Sequence, residues 1–166
     1  MEQHAYFLSE KLGTHLRELG WQLALAESCT GGGIAQTITD VPGSSAWFDR
    51  GFVTYSNAAK VEMLGVQQIT LDNHGAVSQP TALEMAGGAL NRSAAQLALA
   101  VTGIAGPDGG TPEKPVGTVF IGWQRRGQAA ECVEMHFAGD RHSIRQQVII
   151  FTLRQALCET DKHGKY

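Results

Sequence analysis

The stretch Leu23-Ala24-Leu25-Ala26-Glu27-Ser28-Cys29-Thr30-Gly31-Gly32-Gly33 passes from an apolar run, through a small hydroxyl residue, into three glycines. Ile34, Ala35 and Ile38 then open an amphipathic pattern. This order reads as strand, tight turn, helix. Such a turn presents a side chain at the edge of a sheet, beside the unpaired N–H groups of a helix N-terminus. Those donors suit a phosphate, or an oxyanion formed during attack on a carbonyl. A nucleophile, Ser28, and its anion hole can therefore come from one short segment.

Working outward, Leu8, Leu12, Leu16 and Leu19 recur at helical spacing, with Gly20 as a natural stop. The first strand is Leu23 to Ala26, and the helix after it covers Gly31 to Thr39, ending near Val41-Pro42-Gly43. Trp47 to Tyr55 is rich in aromatic and β-branched residues and reads as a strand, followed by a short helix from Asn57 to Leu64 before Gly65. Ser78-Gln79-Pro80 signals a helix start, with the helix running to about Leu90. Leu97 to Val101 is a buried strand that empties into a second glycine-rich loop, Thr102 to Gly110. Val116 to Trp123 and Ala129 to Phe137 read as two strands joined at Arg126-Gly127-Gln128. Asp140 is placed to cap a last helix whose apolar face includes Ile144, Val148, Phe151 and Leu157. The expected fold is an α/β, three-layer α/β/α sandwich on a mixed, mainly parallel sheet with one antiparallel strand. Both glycine-rich loops follow strands, so they should face one pocket beyond the strand ends.

The length of 166 residues suits one domain, 1–166, with its core over about 8–158 and a polar, frayed tail over 160–166. Hydrophobic residues make up 43% and charged residues 17%, ordinary for a globular protein. A net charge of -3 and the lack of any Lys/Arg run give no reason to expect a nucleic-acid partner. No apolar stretch is long enough to span a membrane, and Met1 to Glu10 shows no signal-peptide pattern. Cys29, Cys132 and Cys158 are widely spaced and odd in number, forming neither a zinc-like pair nor a disulfide framework. A reducing, bacterial-type cytoplasm is the expected compartment. Apolar strand and helix faces are compatible with a homodimer.

Ser28 has two readings: helix cap or nucleophile. Thr30 competes for the cap, which frees Ser28 for the second role. Cys29 is the rival nucleophile, since a thiol near a helix N-terminus has a lowered pKa, although cysteine is also a common buried hydrophobe. None of the six histidines shows metal spacing or a triad context; His74 and His136 come nearest to a base role, but a surface or capping role is the better reading of each. Lys60, one helical turn after Tyr55, is the more informative base candidate; the alternative is a solvated helix lysine. As a base it must deprotonate near neutral pH, a differential stabilisation of roughly 4–5 kcal/mol against the model-peptide reference. Otherwise Tyr55 relays the proton while Lys60 stays charged. Thr102 can donate a hydroxyl hydrogen bond, and Gly103, Gly106, Gly109 and Gly110 allow backbone N–H groups to approach a ligand. The loop lacks the Gly-Lys-Ser/Thr ending of a phosphate loop. Arg141 and Arg145 are one turn apart on one helix face, a pair that can hold a phosphate or carboxylate or can simply be solvated.

Five motifs occur in order: Ala26-Glu27-Ser28-Cys29-Thr30-Gly31-Gly32; Gly51-Phe52-Val53-Thr54-Tyr55-Ser56-Asn57; Thr102-Gly103-Ile104-Ala105-Gly106-Pro107-Asp108-Gly109-Gly110; Lys114-Pro115-Val116-Gly117-Thr118-Val119; and Gly139-Asp140-Arg141. With these the chain closely resembles the CinA C-terminal domain family, from about Leu8 to Leu157, and within it the stand-alone bacterial nicotinamide-nucleotide amidases. The resemblance implies a three-layer α/β/α fold and hydrolysis of nicotinamide mononucleotide to nicotinate mononucleotide and ammonia, in pyridine-nucleotide recycling. It implies a serine amidase with no metal and no cofactor, acting on a small-molecule substrate. Ser28 is then the expected nucleophile, with Tyr55 and Lys60 handling protons. Thr30, Gly31 and Gly32 are expected to steady the oxyanion, and Thr102, Gly103, Arg141 and Arg145 to contact or orient the substrate. Larger family members carry an additional N-terminal domain for which this chain lacks the length. A Cys29 amidase and a non-catalytic nucleotide-binding module are the rival readings.

Overall fold

In the computed structural model, which describes residues 1–161, the chain runs α1 (Glu2–Leu19), β1 (Leu23–Glu27), α2 (Gly33–Thr39), β2 (Phe48–Val53), α3 (Asn57–Leu64), α4 (Gln68–His74), α5 (Gln79–Asn91), β3 (Leu97–Gly103), β4 (Thr118–Arg125), β5 (Glu131–His136) and α6 (Arg141–Asp161). The strands form one five-stranded sheet in the order β2-β1-β3-β4-β5. β1 is parallel to β2 and to β3; β4 is antiparallel to β3 and to β5. Four strands therefore point one way and β4 alone opposes them, the mixed sheet that the sequence implied. Counted by pairs, the sheet is half parallel and half antiparallel.

A Leu-Ala alternation shared by β1 and β3 separates the layers. Their register sets Leu23 opposite Leu97, Ala24 opposite Ala98, Leu25 opposite Leu99 and Ala26 opposite Ala100. Successive strand residues face opposite sides, so leucines line one face and alanines the other. The leucine face packs on Leu12 and Leu16 of α1, Ile34 and Ile38 of α2, and Val148 and Leu153 of α6. The alanine face packs on Leu64 of α3, Leu71 of α4, and Met85, Ala86 and Ala89 of α5. Small strand side chains let α5 lie close: a Cβ on Gly122 of β4 would come within 2.9 Å of the Ala82 carbonyl oxygen.

Most boundaries follow local chemistry. Gly20 closes α1 in the left-handed region, and Ser56 and Ser78 cap α3 and α5 by accepting from the N–H groups of Ala59 and Thr81. Asp140 Oδ1 accepts from Ser143 N at 2.8 Å, as a cap of α6 should.

Tertiary contacts account for the departures. Helix α4 was not expected; it has seven residues and buries Thr70 and Leu71, and its start is held by Glu84 of α5, which accepts from Gln67 N at 2.9 Å. β2 stops at Val53, and Trp47, read as the start of this strand, is instead a buried core residue ahead of it. β3 continues through Thr102 and Gly103 because β4 pairs with both. The expected fraying from Thr160 is corrected: α6 runs to Asp161 and Thr160 is buried, its hydroxyl donating to Leu157 O at 2.9 Å. The rest of the expected tail, residues 162–166, lies outside the described residues. Among the described residues no helix is long and apolar enough to cross a membrane.

Candidate active site

The parallel strands β2, β1 and β3 end on the same side of the sheet, and the segments leaving them surround one cavity of about 270 Å³. Ser28 and Cys29 line it after β1, Tyr55 after β2, and Thr102 to Gly106 at and beyond the end of β3; Lys60 of α3, Arg141 of α6, Ala76, Val77, Asp108 and Gly109 complete the wall. The second glycine-rich loop faces this pocket, as its position after a strand implied, whereas the first contributes Ser28 and Cys29 but none of Gly31, Gly32 and Gly33.

The turn carrying Ser28 is fixed from within. Ser28 N still donates to Val101 O of β3 at 3.0 Å, extending the sheet by one residue. The side chain of Glu27, 1% exposed, folds under the turn and collects Thr30 Oγ1 at 2.6 Å, Ile34 N at 2.9 Å and Ala35 N at 3.1 Å. A carboxylate at that end of α2 satisfies orphan donors and opposes the helix dipole favourably. Gly31 and Gly32 take φ of 58° and 97°, backbone that L side chains rarely adopt. The sequence reading assigned Glu27 no role. An acid closing an otherwise apolar strand was the available signal.

One of the expected anion-hole donors, the Gly31 N–H, is engaged. Thr30 directs its hydroxyl to Glu27, and Gly31 N donates to Ser28 O at 3.0 Å. The main-chain N–H groups of Thr30 and Gly32, like that of Cys29, donate to no acceptor among the described residues, but Thr30 is fully buried and neither Thr30 nor Gly32 lines the cavity, whereas Cys29 does.

Lys60 is the partner that the turn lacks. It is 1% exposed, and its Nζ lies 2.9 Å from Ser28 Oγ, 2.9 Å from Thr54 O and 3.3 Å from Tyr55 O. Burial pushes its pKa down from the ordinary lysine value, against a smaller opposing effect of Cys29. A neutral amine has two N–H donors and one lone pair, and these neighbours are two carbonyls and one hydroxyl. The arrangement accommodates an amine that accepts the Ser28 proton while its own hydrogens rest on Thr54 and Tyr55.

The structure separates the remaining expected residues. Tyr55 meets Lys60 through its carbonyl. Its phenol, on a side chain 62% exposed, accepts from Arg141 Nη2 at 3.1 Å, so the expected direct relay from Ser28 to this phenol is not a contact in the structure. Arg141 also donates to Gly106 O at 2.7 Å, tying α6 to the second loop at the cavity rim. Thr102 is buried, and its hydroxyl donor goes to Ala76 O at 2.8 Å rather than into the cavity. Gly103 lines the cavity where a Cβ would meet Val119 Cγ2 at 2.6 Å. Arg145 does not join this cavity. Its Nε and Nη2 donate to Cys29 O at 3.1 Å and Thr30 O at 3.0 Å, and it lines a different cavity beside Tyr6 and Asp40.

Cys29 does not carry the lowered pKa expected of a thiol before a helix. It is 7% exposed and packed into the leucine-side core; burial pushes its thiol up to about 11, with Arg145 and Lys60 only partly offsetting the effect. His74 and His136 do not line the cavity, and His136 instead contacts Thr118 and Glu134. Among the described residues no group of three or more His, Cys, Asp or Glu side chains could hold a metal ion.

Fold and site together define a three-layer α/β/α protein with a buried serine–lysine pair at the ends of its parallel strands. The chain belongs to the CinA C-terminal domain family, whose pattern matches residues 5–159. It is 51% identical over 162 residues to the nicotinamide-nucleotide amidohydrolase PncC of Enterobacter agglomerans, covering 98% of this chain and 99% of that protein. It is 52% identical over 148 residues to the protein of the same name from Escherichia coli strain K12, covering 89% of each. The crystal structure of competence/damage inducible protein CihA from Agrobacterium tumefaciens superposes with a TM-score of 0.91 at 46% identity, covering 95% of this chain and 96% of that one.

Proposed function

We propose that the protein is a nicotinamide-nucleotide amidohydrolase that converts nicotinamide mononucleotide to nicotinate mononucleotide and ammonia, with Ser28 as nucleophile and Lys60 as its base. The observation that carries this reading is the 2.9 Å approach of a buried amine to the Ser28 hydroxyl. It joins the names borne by the relatives above, which match over nearly the whole chain. Ser28 Oγ attacks the carboxamide carbon and its proton passes to Lys60 Nζ. The oxyanion is met by main-chain N–H groups of the turn after Ser28, of which the uncommitted Cys29 N–H belongs to a residue lining the cavity. The tetrahedral intermediate collapses as the Lys60 ammonium returns the proton to the departing nitrogen, which leaves as ammonia. Water, deprotonated by the same amine, then releases the acid and restores Ser28. Arg141 and the Tyr55 phenol, at the rim, hold the nucleotide's phosphate end. The proposal places the enzyme in cytoplasmic recycling of pyridine nucleotides.

The test is ammonia release from nicotinamide mononucleotide by wild type, Ser28→Ala and Cys29→Ala. Loss of about 10³-fold or more in Ser28→Ala, with Cys29→Ala retaining turnover, is the expected result. Loss in Cys29→Ala alone would move the nucleophile to the thiol. Folded wild type without turnover would leave a nucleotide-binding module.

A further inference from the structure

The motif Lys114-Pro115-Val116-Gly117-Thr118-Val119 supplies no residue to the lining of the Ser28 cavity. Its lysine nevertheless reaches residues that do line it. Lys114 Nζ donates to His74 O at 3.2 Å and to Val77 O. Residues 75–78, which pass from α4 into α5, belong to no helix or strand. From His74 to Val77 every carbonyl is held by a side-chain donor: the first and last by Lys114, Gly75 O by Thr81 Oγ1 at 2.8 Å, and Ala76 O by Thr102 Oγ1 at 2.8 Å. Ala76 and Val77 are part of the cavity wall. Lys114 is tied in turn to a second part of that wall. Its N–H donates to Thr111 Oγ1 at 3.0 Å, and its carbonyl accepts from Thr111 N at 2.9 Å. Three residues on, Gly117 N donates to Ile104 O at 2.8 Å, and Ile104 N donates to Thr118 O at 3.0 Å. Ile104 and Ala105 line the cavity beside Ala76 and Val77. The lysine thus bridges the two segments that give the cavity its aliphatic lining. An ammonium has three N–H groups and can serve two carbonyls at once, and its charge strengthens both bonds.

Resting on the amidase reading above, we propose that Lys114 is a positioning residue that holds the Ala76–Val77 wall in register with Ile104 and Ala105, where the substrate's pyridine ring packs. Lys114 lies outside the cavity lining and touches no reacting atom. Its loss should therefore weaken ground-state and transition-state binding alike and spare the Ser28–Lys60 step. Steady-state ammonia release from nicotinamide mononucleotide by wild type, Lys114→Met and Lys114→Arg tests this, with hydrogen–deuterium exchange of the free enzymes and urea denaturation run alongside. The expected result in Lys114→Met is a KM raised about tenfold, the factor for a wall correctly placed about a tenth of the time. Its kcat should stay within about threefold of wild type. Exchange across residues 75–78 of the free variant should quicken, because two of their anchoring bonds are gone. Lys114→Arg keeps donors for both carbonyls and should restore most of the KM and of the protection. If Lys114→Met does not fold, Lys114→Gln, which retains an amide donor, decides on the same two readouts. A raised KM with unchanged exchange in the free enzyme would place Lys114 on the substrate itself and overturn the proposal. A wild-type KM, or a lowered kcat at unchanged KM, would overturn it as well. Inactive, folded wild type removes the amidase reading and this proposal with it. Active wild type with an insensitive Lys114 removes this proposal alone.

Discussion

Replacing Lys60 with methionine separates catalysis from stability more sharply than any other change at this site. Ser28 Oγ has Lys60 Nζ as its hydrogen-bond partner, at 2.9 Å, and no other among the described residues. The methionine keeps the stem's bulk and removes the base, leaving only water to take the proton. Loss of a positioned general base lowers kcat by about 10²–10⁴-fold, or roughly 2.7–5.5 kcal/mol of barrier. Stability should move far less. Thr54 O and Tyr55 O lose a donor, at about 1 kcal/mol each, but the variant no longer buries an ionisable amine. The sign with pH follows from the depressed pKa of Lys60. Between the folded value and the unfolded value of about 10.4 the unfolded chain binds more protons, so wild-type stability rises with pH in that window and is lost as pH falls through it. The advantage of wild type over Lys60→Met should therefore be largest near the unfolded value and shrink toward neutral pH. For activity, attack requires the neutral amine. Wild-type kcat/KM should rise with pH through the folded pKa and level off below the ordinary lysine range, and Lys60→Met should lack that limb. Ammonia release and urea midpoints at matched pH values provide both readouts. A variant within tenfold of the wild-type rate, or one retaining the same acid limb, would refute the assignment of Lys60 as base.

Two further outcomes follow from packing and hydrogen bonding around the same site. Glu27→Gln must set an amide donor against at least one of Thr30 Oγ1, Ile34 N and Ala35 N, destabilising by about 2–3 kcal/mol; urea denaturation should show a lower midpoint at unchanged slope, and a change under about 0.5 kcal/mol would contradict the buried cap. Gly88→Ala would put a Cβ 2.1 Å from the backbone oxygen of Leu64 and force α5 from α3, whereas at Gly87 the nearest atom is the tip of Gln124 at 3.2 Å. The first should lose about 1–3 kcal/mol or more and the second little, as read by thermal melting.

Sequence alone determined what is written in short-range pattern. Alternating Leu-Ala runs gave two strands, Gly20, Gly65 and Ser78 marked helix ends, and the glycines after Ser28 announced a turn with a presented side chain. These features depend on backbone preferences and face periodicity within a few residues, so they survive without knowledge of the fold. Lys60 was legible only as a turn of helix after Tyr55; its burial and its contact with Ser28 exist because β1 and β2 pair in parallel and bring the ends of two distant segments together. The same dependence moved Arg145 from substrate to turn, turned the Thr102 hydroxyl toward Ala76, raised the Cys29 thiol, and gave the unremarked Glu27 three donors to hold. Helix α4, with only Thr70 and Leu71 to bury, had no periodicity to read and owes its start to Glu84. Periodicity specifies which face of an element is buried, but a desolvated amine or a bound carbonyl depends on which other element arrives there, and that is decided when the sheet closes its order.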